Sequence, residues 1–200
     1  MEFRTWLENY EKAFSQRDKT QQADVGKALG FKSNLIKYSQ GSFATLYQHP
    51  GHPDRLIKIT AHKEDIQNLV RAQRLNSPNI AKVFDWEKGE KIRQMPRLNS
   101  LAIMVEKIEG RPMTYTTGDF YELSLGGRFE LAADWIAYGG NEKQKPVLDR
   151  YGLDNDREHE KLAQLFRTLG EMEKYRIELS DLEDNIIDAG GRYVIVDMGF

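Results

Sequence analysis

Cysteine is missing from this sequence, and several kinds of site chemistry are missing with it. None of the 200 residues is a cysteine. Disulfide bonds, zinc sites built on thiolates and cysteine nucleophiles are therefore excluded. A chain without cysteine also fits a reducing compartment, so we expect the protein to be cytoplasmic.

Long hydrophobic runs are also missing. No apolar stretch in the sequence approaches the roughly 20 residues that a membrane-spanning helix needs. The N-terminal stretch MEFRTWLENYEKAF lacks the basic start and apolar block of a secretion signal, and its apolar spacing predicts an amphipathic helix. We therefore expect a soluble protein with no membrane partner.

A strong net charge is the third absence. The sequence has 29 Lys and Arg against 31 Asp and Glu, which gives a net charge of −2. This balance indicates neither nucleic-acid binding nor membrane binding. With 40% hydrophobic residues the chain can form a core, and 200 residues suit one domain or one domain of two lobes.

The hydrophobic pattern predicts a β-rich first half and a largely helical second half. A β-hairpin in 35–50 and a strand in 55–60 are predicted, with a long turn HPGHPD between them, and a helix follows in 61–75. Two more strands are predicted in 77–87 and 101–110, on either side of a loop that contains Pro96. Residues 111–156 read as a mixed, loop-rich region with a helix near RFELAADWIAY, and 157–175 as the clearest helix. NIID and RYVIVD then form a hairpin across a glycine turn.

This order predicts an α+β protein with two lobes and a cleft between them. We place the β-rich lobe in residues 1–110, together with the N-terminal helix, and the mostly helical lobe in residues 111–200.

Two positions in the first half could bind phosphate. Gly41, in YSQGSFATLY, would let backbone amides approach phosphate oxygens because it has no Cβ, although a lone glycine is also typical of a turn. Lys58 interrupts the apolar strand RLIKIT and faces the same way as Leu56. A buried ammonium there needs an anionic partner; the alternative is an exposed strand face.

The hairpin near the C-terminus could bind a metal. It follows the acidic stretch RIELSDLEDNII, and Asn185 and Asp197 lie on its two arms. A carboxylate at the end of a buried strand needs a metal, a hydrogen-bond donor or a cation. Mg²⁺ prefers oxygen ligands, so the two residues could bind it together, although each is also a plausible turn residue.

The succession of these features resembles the signature set of protein kinases. SPNIAKVFDW is similar to the segment after the αC helix, IMVEKIEGRPM to the hinge, and the stretch from LGEMEKYRIELSD to VIVDMGF to the catalytic loop and D-F-G. The resemblance runs from about Leu35 to the last residue. The sequence is similar in particular to the early protein kinases of podophages. Minimal kinase effectors of bacterial pathogens are also short.

The resemblance implies a site for ATP and Mg²⁺. Lys58 would hold the phosphates. Its αC partner would be Glu64; Asp65 is the nearest alternative, and a straight count along the family pattern reaches Asn68. The other implied positions are the amides of Gly41, Ser42 and Phe43 over the phosphates, the backbone of Glu106 and Ile108 at adenine, Val105 as gatekeeper, and Asn185 and Asp197 at the metal.

The catalytic loop departs from the family pattern. H-R-D-L-x-x-x-N requires an Asp five residues before the Asn, and Ser180 occupies that position, with Asp181 one residue later. Either the loop is one residue shorter and Asp181 orients the substrate hydroxyl, or the base position is Ser180. Since phosphoryl transfer depends mainly on alignment and charge stabilisation, a shorter loop could still work.

Several functions therefore stay open. We favour a minimal ATP-dependent kinase for Ser or Thr of proteins, because Lys58, Asn185 and Asp197 are all present. Ser180 and the missing αC glutamate favour a pseudokinase that acts as a binding module. AMP transfer or a small-molecule acceptor on the same fold is a third hypothesis, and an unrelated metal hydrolase a distant fourth.

The resemblance also implies a partner and a regulatory property. The partner would be a protein of a bacterial host, in the host cytoplasm. A helical lobe that ends just after Asp197-Met198-Gly199 would be truncated, so we expect no control by activation-loop phosphorylation. Residues 111–156 could take the place of the usual peptide-docking platform.

Overall fold

The main sheet has six strands and carries the first half of the fold. The computed structural model describes residues 24–40, 44–178 and 182–198. The strands are β1 (Ile36–Gln40), β2 (Ala44–His49), β3 (His52–Thr60), β4 (Val83–Phe84), β5 (Ile92–Met95) and β6 (Ser100–Glu106). They run in the order β1-β2-β3-β6-β4, with β5 also on β6, and all pairs are antiparallel.

A small second sheet and six helices complete the described part of the chain. The sheet contains β7 (Arg111–Met113), β8 (Ile186–Asp188) and β9 (Tyr193–Ile195) in that order. The helices are α1 (residues 24–28), α2 (Lys63–Ala72), α3 (Thr117–Leu123), α4 (Phe129–Ala137), α5 (Gln144–Arg150) and α6 (Asp156–Lys174). The predicted α+β class is confirmed.

The two faces of the main sheet are buried against different parts of the protein. Leu46, Lys58 and Ile103 lie opposite one another on β2, β3 and β6, so they share one face. That face packs on α2 and the helical half. On the other face, Ile57 and Met104 belong to a second cluster with α1. The alternation of strand side chains thus directs Lys58 toward the helical half.

α2 has the amphipathic pattern that the sequence predicts. Its buried face includes Ile66, Leu69 and Ala72, and its first turn carries Glu64 and Asp65, which suit the positive end of the helix dipole. A 3₁₀ turn over residues 73–75 follows. The side chain of Gln73 donates to the carbonyl of Ala81 at 3.0 Å and accepts from the Val83 amide at 2.9 Å. These bonds attach the C-terminal end of α2 to the strand that follows.

α6 is the central helix of the second half. Asn155 caps it by accepting a hydrogen bond from the Glu158 amide at 3.0 Å. Its apolar side, which includes Leu162 and Phe166, is fully buried and contacts α4 and β9. At its other end Arg176 has a φ of 53°, a left-handed conformation that usually belongs to glycine.

The loop after α2 joins the two halves. Residues 79–81 run beside β9: the Ile195 amide donates to the Asn79 carbonyl at 2.9 Å, and the Ala81 amide to the Ile195 carbonyl at 3.0 Å. The buried side chain of Asn79 donates to the Tyr193 carbonyl at 2.8 Å. β9 is thereby hydrogen-bonded on both sides, to β8 and to this loop, which fixes the hairpin beneath the main sheet.

Several elements differ from the expectations. The turn before β3 is short rather than long, because β3 already begins at His52 and only residues 50–51 form the turn. Pro53 fits in this strand because β3 pairs with β6 only from Arg55 onward, so no ladder bond is lost. In regions read as loop, the structure has the strands β5 and β7 and the helices α3 and α5.

The division into lobes at residue 110 stays a prediction. One cluster of buried side chains contains residues of both halves, such as Ile103 and Phe166. Within the described ranges, none of the helices is both long and apolar enough to cross a bilayer.

Candidate active site

Lys58 and Asp197 form an ion pair, although 139 residues separate them in the sequence. The Lys58 ammonium donates to Oδ1 of Asp197. Lys58 is only 3% exposed, so the alternative of an exposed strand face does not apply. Strand β3 and the C-terminal hairpin therefore meet at this pair.

The β8–β9 hairpin determines where Asp197 and Asn185 lie. Ile186 pairs with Ile195, and the Val196 amide donates to the Asn185 carbonyl at 3.0 Å, so both polar residues are at the open end of the hairpin. The Met198 amide donates to Oδ1 of Asp197 at 2.8 Å and orients the carboxylate. The Asp197 side chain remains 31% exposed, which leaves part of it accessible to a ligand.

Asp65, rather than Glu64, is the α2 carboxylate that faces this pair. Asp65 is 3% exposed, whereas Glu64 points to solvent. Burial raises the pKa of Asp65, Lys58 lowers it and Asp197 raises it again, so all three groups act on one another. The expected partner Glu64 is thus exposed and the nearest alternative, Asp65, is buried, because a change of one residue turns a helix position by about 100°. Which of them would pair with Lys58 stays a prediction.

The segment predicted to be the hinge lies on the same face of the sheet as Lys58. Val105 is buried and pairs with Leu56, two residues from Lys58 along β3. β6 ends at Glu106, whose amide donates to the Lys82 carbonyl at 2.8 Å, and Ile108 follows in a partly buried segment. The expected gatekeeper Val105 is thus two residues along the sheet from Lys58, and Glu106, the first expected adenine-binding residue, is three residues along.

The structure also shows a contact that the sequence did not reveal. The carboxylate of Glu106 accepts a hydrogen bond from Arg192, in the turn of the β8–β9 hairpin, at 2.7 Å. No pattern in the sequence links two residues 86 positions apart, so only the fold could identify this bond. It ties the end of β6 to the hairpin that carries Asn185 and Asp197.

A buried charged cluster anchors the other end of the hairpin. The ammonium of Lys161, 6% exposed, donates to Asp188 at 3.0 Å and pairs with Glu158 at 2.8 Å. The Tyr193 hydroxyl donates to the same Glu158 at 2.8 Å. Burial, followed by this bond and nearby negative charge, raises the pKa of Tyr193, so it stays a neutral donor. α6 thus holds both strands of the hairpin.

Five expected site residues lie outside the described ranges. They are Gly41, Ser42 and Phe43 of the glycine loop, and Ser180 and Asp181 of the catalytic loop. Their assigned roles therefore stay predictions.

The donor set at the hairpin suits a hard cation. Asn185 and Asp197 offer amide and carboxylate oxygen, and Mg²⁺ in nucleotide sites is commonly held by one or two carboxylates plus phosphate oxygens and water. Across residues 24–40, 44–178 and 182–198 there is no group of three His, Cys, Asp or Glu side chains arranged for a metal.

Comparisons with known proteins leave the family open. A scan against models of protein families finds no match, and a search of curated proteins finds no significant match. Among solved structures, the chain is similar to the apo form of a thermostable mutant of the aminoglycoside phosphotransferase APH(4)-Ia. The identity is 13%, the similarity covers 88% of this chain and 69% of that one, and the TM-score is 0.39. Function has to be inferred from the site itself.

Proposed function

We propose that this protein is a kinase-like phosphotransferase that uses ATP and Mg²⁺ and phosphorylates Ser or Thr of a protein. The observation that supports this most is the buried contact between Lys58 and Asp197. A lysine inside a sheet and a carboxylate after a hairpin are the groups with which kinase-like sites hold nucleotide phosphates and metal. The ordered sequence resemblance supports the same function.

Lys58 would bind oxygens of the α- and β-phosphates. Its ammonium has three N–H donors, and Asp65 lies close enough to hold the charge in place. Burial lowers the local dielectric, so an ammonium here attracts phosphate more strongly than one in water. A nucleotide would thus bring phosphate oxygens to an ammonium that also contacts the Asp197 carboxylate.

Asn185 and Asp197 would hold Mg²⁺, because both lie at the open end of the hairpin. A bound Mg²⁺ would neutralise charge that develops on the transferred phosphoryl group. The β8–β9 ladder and the loop 79–81 hold the backbone of the hairpin, and the Met198 amide orients the Asp197 carboxylate. Such preorganisation is what charge stabilisation in a site requires.

The base and the triphosphate would lie along the face of the main sheet. The backbone of Glu106 and Ile108 would bind adenine beside Val105, and the amides of Gly41, Ser42 and Phe43 would cover the phosphates. The distance along β3 from Leu56, opposite Val105, to Lys58 spans about 7 Å, which suits a nucleotide lying along the strand.

The acceptor hydroxyl would be oriented by Asp181, or by Ser180 if the loop has the usual length. Its role would be chiefly alignment of the hydroxyl with the phosphorus, since transfer depends on positioning and charge. The protein target, a bacterial host protein in the host cytoplasm, is a prediction from the resemblance alone.

Radiolabelled ATP tests the reaction. Purified protein is incubated with Mg²⁺ and either γ-labelled or α-labelled ATP, with a bacterial lysate as acceptor. We expect protein labelling from the γ position only, and its loss in Lys58→Met and Asp181→Ala but not in Ser180→Ala. Labelling from the α position would instead indicate AMP transfer. Undiminished labelling by Lys58→Met would contradict the proposed site.

One observation favours a pseudokinase as the second candidate. The ion pair between Lys58 and Asp197 neutralises both charges within the protein, so these two side chains do not need a nucleotide as a counter-charge. A protein of this kind would bind a target without chemistry. ATP binding without labelling from either position would favour this candidate over the enzyme.

A further inference from the structure

A small cavity lies beside the loop that joins the two halves of the protein. Its lining comes from the last residue of α2, the turn and loop that follow it up to residue 80, Lys82, and Arg192 in the turn of the β8–β9 hairpin. The volume of the cavity is about 230 Å³, below the roughly 300–1,000 Å³ of pockets for drug-sized ligands. The cavity is therefore too small for a nucleotide, but it has room for one compact group.

The charges at this cavity favour an anion. Of the residues in its lining, Lys82 and Arg192 are the charged ones, and both are cations. Glu106 contacts them from outside the lining: one carboxylate oxygen accepts from Arg192 at 2.7 Å, and the other accepts from the Lys82 backbone amide at 3.2 Å. Two positive charges are thus balanced by one negative charge, which leaves one positive charge without compensation.

The uncompensated charge is that of the Lys82 ammonium. The side chain of Lys82 is exposed, and no hydrogen bond or ion pair within residues 24–40, 44–178 and 182–198 involves its ammonium. Arg192 has five N–H donors, of which one bonds Glu106 and another the Pro78 carbonyl. The remaining donors of the two cations can therefore bind a ligand with several acceptor oxygens.

We propose that this cavity is an anion site, separate from the nucleotide site, that binds a single phosphate group. A phosphorylated side chain carries about two negative charges and three strong acceptor oxygens. Arginine and lysine are the side chains with which proteins bind phosphate, arginine through its planar fork and lysine as a point charge. The phosphate group can belong to the free inorganic ion or to a phosphorylated side chain of a partner protein.

The location of the cavity predicts an effect on the fold. Lys82 directly precedes β4 of the main sheet, whereas Arg192 lies in the turn of the hairpin that carries Asn185 and Asp197 at its other end. A phosphate group held by both cations would link the sheet to this hairpin. A ligand that binds only the folded protein also stabilises it. We therefore expect phosphate to raise the melting temperature, and this expectation does not depend on the proposed function.

Titration calorimetry with inorganic phosphate, at an ionic strength held constant with sodium chloride, tests the site. We expect saturable binding and a Kd about 10-fold weaker in Lys82→Ala, the loss of one charge-assisted hydrogen bond. Because the Lys82 ammonium has no partner in the described part of the chain, this variant should keep the melting temperature of the ligand-free protein. Lys82→Arg keeps the charge and should bind within about threefold of the unmodified protein. Lys88→Ala removes an exposed cation outside the cavity lining and is the matched control.

The variants decide where phosphate binds. A Kd that is unchanged in Lys82→Ala would overturn the proposal, since phosphate would then bind elsewhere, such as at Lys58. An equal loss of affinity in Lys88→Ala would also overturn it, because that indicates a general effect of surface charge. Absence of saturable binding by both inorganic phosphate and O-phosphoserine would overturn it as well.

A comparison of two probes distinguishes the two sources of phosphate. Tighter binding of O-phosphoserine than of inorganic phosphate would support a phosphorylated side chain of a partner, and equal or weaker binding would support the free ion. Mg·ATP binding is measured in a separate titration, so the proposed function can fail while this site is confirmed, and the reverse.

Discussion

Lys58 illustrates how a single residue can connect sequence and site. For Lys58, inside an apolar strand, the sequence left open either an exposed strand face or a buried ammonium with an anionic partner, and the structure has Asp197 in contact with it. The carboxylate on α2 was harder to predict, because Glu64 and Asp65 are adjacent and only the helix phase distinguishes them.

Tyr115 is a buried polar residue whose hydroxyl has no hydrogen-bond partner among the residues that the structure describes. Burial, together with Tyr151 and Asp188, raises its pKa, so the group is a neutral, unpaired donor. We expect Tyr115→Phe to leave the free energy of unfolding unchanged or to increase it by about 1 kcal/mol. Urea denaturation measures this change. In the matched variant Tyr193→Phe, loss of the hydrogen bond to Glu158 should lower the free energy of unfolding by about 1–2 kcal/mol.

At the scale of single elements, long periodic segments were predictable and short ones were not. α6 and the β8–β9 hairpin occur where the spacing of Leu162, Phe166 and Leu169 and the glycine turn predicted them. β5, β7, α3 and α5 have 3 to 7 residues each, too few to show a period. Contacts across the fold, rather than local preference, determine such elements.

The end of α6 provides a test at this scale. The Arg176 amide donates to the Glu173 carbonyl and the Ile177 amide to the Met172 carbonyl, both at 2.9 Å, a helix-ending motif that favours glycine at Arg176. Arg176→Gly should therefore raise the free energy of unfolding by about 1 kcal/mol in thermal or urea denaturation. Arg176→Ala keeps the positive φ and removes only the side chain, so a similar gain there would contradict the explanation.

For the whole molecule, the joint between the sheet and the helical half is the critical feature. Asn79 makes three hydrogen bonds to two elements, β9 and α6: its backbone carbonyl accepts from the Ile195 amide, its side-chain amide donates to the Tyr193 carbonyl, and its side-chain oxygen accepts from Thr168 at 3.3 Å. The sequence indicated the segment SPNI only through its resemblance to kinases. The bonds that make it a joint could not be predicted, because they link residues 89 to 116 positions apart.

Asn79→Ala tests this joint. It leaves the buried carbonyl of Tyr193 without its side-chain donor, so we expect a loss of about 1–3 kcal/mol in the free energy of unfolding. Because β9 leads to Asp197, affinity for Mg·ATP should also fall when measured by calorimetry below the melting temperature. Glu87→Ala, at an exposed position, is the control. Unchanged stability in Asn79→Ala would show that the loop is not the joint.

The two ends of α2 are held very differently, and this has a mechanical consequence. Gln73 and the loop 79–81 fasten the C-terminal end, whereas His62 provides no side-chain cap at the start of the helix. The C-terminal end of α2 is thus attached to the strand that follows it, whereas the first turn, which carries Asp65, is preceded by a bond from the His62 amide to the Thr60 hydroxyl at 3.0 Å. A displacement of the first turn would change the distance between Asp65 and Lys58, whereas Leu69 and Ala72 lie nearer the attached end of the helix. Such a movement would weaken the site while the core contacts of α2 are kept.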